Sequence, residues 1–161
     1  MREIRFRGFS ISTKKWVYGY LWIVPGVNLY YILTGKINMD CSIEKYEVCP
    51  ESIGQFTGLK DKNGVEIYEG DIIPYEDTFD KCVGIVKFGQ WEQDGPADEY
   101  GGTQCLGFYI ERIKAICDKS SITEEPYVQE YLSKVSLVAE NIEVIGDIYR
   151  NKELLEGKQN V

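Results

Sequence analysis

The sequence predicts a mainly β protein built from short strands, and three observations carry that reading. Turn signals recur at the spacing of small barrels or sandwiches. Aromatic residues make up 13% of the 161 positions, with twelve tyrosines, and such side chains pack well on a pleated surface. Only one segment places its apolar residues at helical spacing.

Residues 2–9 alternate, Ile4 and Phe6 facing one way and Arg5 and Arg7 the other, which is the period of a strand. With Arg2, Lys14 and Lys15 these arginines form the basic cluster of the chain, read as the solvated edge of a strand. Ser-Thr-Lys-Lys is a turn, Trp16–Val24 a strand, and Pro25-Gly26-Val27-Asn28 a second turn before the strand Leu29–Leu33. The run Trp16–Leu33 holds no charge and has nearly the length of a membrane span. Its Pro-Gly centre, flanked by tyrosines and β-branched residues, marks a hairpin instead. The opening residues also lack the apolar run of a signal peptide. Residues 34–42 read as a loop, and Ile43–Val48 alternate again until Pro50, which has no N–H for a ladder.

The stretch "GQFTGLKDKNGVEIYEGDII" (54–73) holds the densest turn chemistry. Asp61-Lys62-Asn63-Gly64 suits a tight turn, because Asn-Gly tolerates positive φ. Val65–Tyr68 is a short strand, Glu69-Gly70-Asp71 a further turn, and Ile72-Ile73 a strand start. Lys81–Phe88 and Leu106–Ile113 are strands joined by an acidic, Gly-rich loop, 89–104. A helix is expected at about 124–135, with Thr123 as cap, Glu124 and Glu125 in the first turn, and Tyr127, Val128, Tyr131, Leu132 and Val135 on one face. Residues 142–149 return to strand, "NKELLEG" forms a last turn or helix, and 157–161 is a frayed tail.

Three fragment pairs recur in order: "EIRFRG" with "EIYEG", "KWVYGYLWI" with "KCVGIVKFG", and "ESIGQFT" with "EVIGDIY". They imply either two β units, 1–58 and 59–156, the second carrying the acidic loop and helix as insertions, or one compact domain.

Composition excludes several chemistries. A net charge of −8 opposes non-specific nucleic-acid binding. Without histidine there is no Ser-His or Cys-His pair and no imidazole ligand. The five cysteines form no C-x-x-C pair, as in a reduced cytoplasmic protein. Gly54-Gln-Phe-Thr-Gly58-Leu-Lys60 lacks the spacing and ending of a phosphate-binding loop. Carboxylates cluster at Glu69, Asp71, Glu76, Asp77 and Asp80, and at Asp94, Asp98 and Glu99. They are read as solvated loops rather than a Mg²⁺ or Ca²⁺ site. No cofactor and no metal are expected.

The residues "REIRFRG", "WVYGY", "CPESIGQFTGLKDKNGVEIYEGDII" and "VIGDIYRNKELL" resemble the YopX family of phage and prophage proteins. The anchors lie near both ends, so the resemblance covers nearly the whole chain, and 74–142 depart most from it. It implies a β-rich architecture of SH3-like barrels, a phage or prophage origin and no established activity, so no catalytic position is carried over. The signature residues Gly54, Gln55, Thr57, Gly58, Asp61, Asn63, Gly64, Ile67, Tyr68, Gly70, Asp71 and Gly146 read as structural. Trp91, Tyr100 and Phe108, flanking the Gly-rich loop, form a candidate binding surface or else close a barrel end. The expected function is a non-enzymatic, cytoplasmic protein-binding or assembly module whose partner is another protein or a second copy, without membrane insertion. A nucleic-acid-associated accessory factor and a metal-dependent hydrolase using the acidic loops are the alternatives.

Overall fold

A computed structural model describes residues 3–76, 81–93, 103–116, 129–131 and 142–155. The chain forms two compact units, Met1–Gly58 and Leu59–Val161, and it is mainly β with two antiparallel sheets.

In the first unit, β1 (Phe6–Phe9), β2 (Trp16–Val24), β3 (Leu29–Ile37) and β4 (Ile43–Glu47) follow one another through short turns. A single 3₁₀ turn, Pro50–Ser52, leads into β5 (Gly54–Lys60). The sheet order is β4-β3-β2-β1-β5, so the last strand returns to the first. The 3₁₀ turn helps to hold it there: Ser52 Oγ accepts the Phe9 N–H at 2.7 Å and donates to the Cys49 carbonyl at 2.6 Å. Ile32, Val48 and Phe56 are buried here. Gly19 allows a close crossing, since a Cβ at that position would stand 2.0 Å from the Leu33 carbonyl oxygen.

Because β1 lies between β2 and β5, its arginines are not the solvated edge that alternation alone suggests. Arg7 is buried, with its guanidinium 4.6 Å above the Trp16 ring, and Arg5 covers Phe56 at 5.0 Å. Beyond Gly58, β5 continues to Lys60, and after a turn β6 (Glu66–Tyr68) follows beside it.

In the second unit, β7 (Asp71–Glu76), β8 (Lys81–Gln93), β9 (Thr103–Ile116) and β10 (Gln129–Tyr131) precede β11 (Gly146–Asp147). Their order is β10-β9-β8-β7-β11. Ile67, Ile73, Val86, Ile110 and Ile142 form the core, with Leu59, Phe108 and Val144 packed against it. A four-residue helix, α1 (Lys152–Leu155), follows.

The two units share one strand order: a four-stranded meander closed by a fifth strand on the first. The third repeated fragment occupies the same place in each, since Gly54 pairs with Arg7 and Gly146 with Ile72.

Two expectations are corrected. Neither sheet is a closed barrel. One bridge, Ser10 to Val48, draws the ends of β1 and β4 together, but β1 already has β2 and β5 on its two edges and offers none to β4. The expected helix at 124–135 is also broken. Gln129–Tyr131 pairs with β9 as a strand, Tyr131 opposite Tyr109, and the rest of the segment lies outside the described residues. Tyr127 and Tyr131, four apart, satisfy strand and helix periods alike, and the open edge of β9 decides in favour of pairing. Among the described residues no helix is long and apolar enough to cross a membrane.

Candidate functional site

The signature residues build a clasp. Asp61 is 6% exposed; its Oδ1 accepts the N–H groups of Asn63 and Val65, each at 2.8 Å. Its Oδ2 accepts the N–H of Val144 at 3.1 Å, 83 residues further on. The Lys62 N–H donates to the Ile142 carbonyl at 2.9 Å, and Lys62 pairs with Glu143. Gly64 supplies φ +80° at the turn, where little but glycine or asparagine is comfortable. Burial works against the charge on Asp61, but the amides of Val144, Val65 and Asn63, with Lys62 nearby, outweigh it and lower the carboxyl pKa.

Two further acids, Asp71 and Asp147, shape turns in the same unit. Asp71 is fully buried and its Oδ2 accepts the Tyr68 N–H at 2.7 Å, which forms the Glu69-Gly70 turn. Asp147, 2% exposed, stands opposite Asp71 across β7 and β11. It accepts the N–H groups of Tyr149 and Arg150 at 3.1 and 2.8 Å, and Arg150 Nε at 2.9 Å. Both carboxylates are thus occupied in shaping backbone turns. Ile67 and Tyr68 are buried, Gly54 and Gly70 likewise; Gln55, Thr57 and Gly146 are half-buried, and Gly58 and Asn63 exposed.

Of the aromatics flanking the Gly-rich loop, Tyr100 lies outside the described residues. Trp91 is 4% exposed and pairs with Cys105, whereas Phe108 pairs with Phe88 and meets its ring edge-on at 5.0 Å. Side chains alternate along β9, so positions 105 and 108 face opposite sides and the two aromatics do not converge.

A surface that sequence reasoning passed over lies in the first unit. Tyr18, Tyr20 and Trp22 occupy alternate positions of β2 and remain 46%, 57% and 42% exposed. Tyr20 pairs with Leu33 and Trp22 with Tyr31, which bring β3 into the same face. On β4, Lys45 stands opposite Leu33 and Glu47 opposite Tyr31. The Trp22 and Tyr31 rings lie 5.5 Å apart, and Lys45 Nζ sits 4.7 and 5.1 Å from their centroids. The alternating aromatics of W-V-Y-G-Y-L-W were the available signal. Their hairpin was legible, but which face would stay uncovered was not.

Charges on the reverse side of β4 are committed. Glu44 accepts Thr34 Oγ1 at 2.6 Å and Tyr46 OH at 3.0 Å, which, with Lys36, lower its pKa; Glu44 in turn raises that of Tyr46. Lys45 and Glu47, on the aromatic side, take part in no ion pair among the described residues. No group of three or more acidic or thiol side chains among the described residues is placed to hold a metal. Asp77, Asp80, Asp94, Asp98 and Glu99 lie outside them.

A family model for the YopX protein matches residues 5–156. The crystal structure of protein EF1440 from Enterococcus faecalis is similar at 23% identity, over 96% of this chain and 99% of that one, with a TM-score of 0.47. No curated protein matches the chain.

Proposed function

The chain belongs to the YopX family, and from that premise we propose that it is a non-enzymatic protein-binding or assembly module. Its contact surface is the aromatic face of β2, β3 and β4. One observation carries this reading: Tyr18, Tyr20 and Trp22 stand exposed in a single row on a well-paired strand. Tryptophan and tyrosine are over-represented among residues that dominate protein interfaces, and large apolar side chains left in water in a row mark such surfaces.

We read each unit as SH3-like, supported by a meander whose fifth strand returns to the first, and the pair as copies of one ancestral unit. The setting is the cytoplasm of a cell carrying the phage or prophage. A nucleic-acid ligand is the second reading, favoured by the stacking row beside Lys45 and opposed by the net charge of −8.

A pull-down of the tagged protein during prophage induction, with and without nuclease, tests the reading against the double variant Tyr20→Ala/Trp22→Ala. The expected outcome is a partner that survives nuclease and is lost with the variant, since one such residue commonly contributes about 2 kcal/mol or more. Partners lost with nuclease would move the assignment to nucleic acid. Identical recovery by wild type and variant would remove the face from the function.

A further inference from the structure

We propose that the aromatic face of β2–β4 is covered in solution by the same face of a second copy. The contact is two-fold and sets Lys45 of each chain against Glu47 of the other. This deepens the binding-module reading by naming its partner, and it rests on that reading.

The face is complementary to itself. Lys45 and Glu47 are two residues apart on one strand and share its aromatic side, so their Cα atoms lie about 7 Å apart. Neither has an ion-pair partner in its own chain among the described residues. Lys45 instead rests on Trp22 and Tyr31, held in place with no carboxylate to meet it. In a two-fold contact residue i meets j wherever j meets i. One free cation and one free anion on the same strand therefore form two ion pairs around an aromatic centre. A partner with charge of a single sign would satisfy only one of them.

Charge distribution removes the objection that acidic chains repel. Residues 1–58 carry seven Lys and Arg against five Asp and Glu, while 59–161 carry eleven against twenty-one. The excess acid belongs to the second unit, and the face belongs to the first.

Sedimentation equilibrium of the full chain tests the proposal, with circular dichroism confirming that each variant is folded. Wild type is expected to be dimeric. Lys45→Glu and Glu47→Lys should each weaken the dimer about tenfold or more, because both symmetric contacts become repulsive. An equimolar mixture of the two variants should recover association, since each reversed charge then meets its opposite across the interface. A wild type that stays monomeric overturns self-association, and the contact-face reading then stands or falls on the Trp22 pull-down. A dimer indifferent to both reversals, or a mixture that fails to recover, overturns the assigned pairing.

Discussion

Asp61 shows how one side chain can hold residues far apart in sequence. Its carboxylate takes three backbone N–H groups, two from its own turn and one from Val144. Asp61→Ala leaves those donors without it and is expected to cost about 2–3 kcal/mol in urea denaturation. The pH dependence follows from the direction of the shift. The folded pKa lies below the unfolded value of 3.8, so the stabilisation is complete above that value and is lost as pH falls through the folded pKa. The stability gap between wild type and Asp61→Asn should therefore narrow below about pH 4. Gly19 is sensitive for a steric reason. A methyl group would collide with the Leu33 carbonyl, and Gly19→Ala is expected to destabilise the first unit by about 1–3 kcal/mol, read as a lower thermal midpoint. The turn-forming roles of Asp61, Asn63, Gly64 and Asp71 were legible, because turns are local and their chemistry is written in adjacent residues. The Val144 contact was not, since nothing near Asp61 announces a donor 83 residues away.

Strands were read well where alternation and a nearby turn agreed. The hairpin β2–β3 and the strand β4 are the plainest cases. Lys81–Phe88 and Leu106–Ile113 were placed correctly but extend further toward their loop, to Gln93 and Thr103. Glycine and charge in that stretch resemble loop composition, while pairing across a long ribbon satisfies the backbone regardless. Position within the sheet was harder to read than strand identity. Arg5 and Arg7 alternate as an edge strand would, yet β5 arrives from some fifty residues downstream and makes β1 central. The closing segment gives an element-scale prediction. A chain ending before Ile142 loses a core side chain, β11 and the N–H donors of Val144 and Ile145. Hydrogen exchange should then show β7 and β8 losing protection while β1–β4 keep theirs.

At the scale of the whole molecule, two units repeat one strand order with different surfaces. Where the first presents Trp22 opposite Tyr31, the second has Phe88 opposite Phe108, with Gly84 and Val86 in the places of Tyr18 and Tyr20. The repeated fragments hinted at shared architecture, but short similarities could not tell which unit carries an exposed aromatic row. A chain ending at Lys60 retains all of β1–β5, and it is expected to fold with the edge-on Phe9–Trp16 contact intact, 5.6 Å between ring centroids. Near-ultraviolet dichroism of that fragment is the check. In both units the first strand is completed only by the last, β5 on β1 and β11 on β7. During synthesis, then, the ribosome delivers each opening strand long before its closing neighbour exists. The first unit can complete once Lys60 has cleared the exit tunnel, whereas β7 must wait with one edge bare until Gly146 and Asp147 have emerged as well.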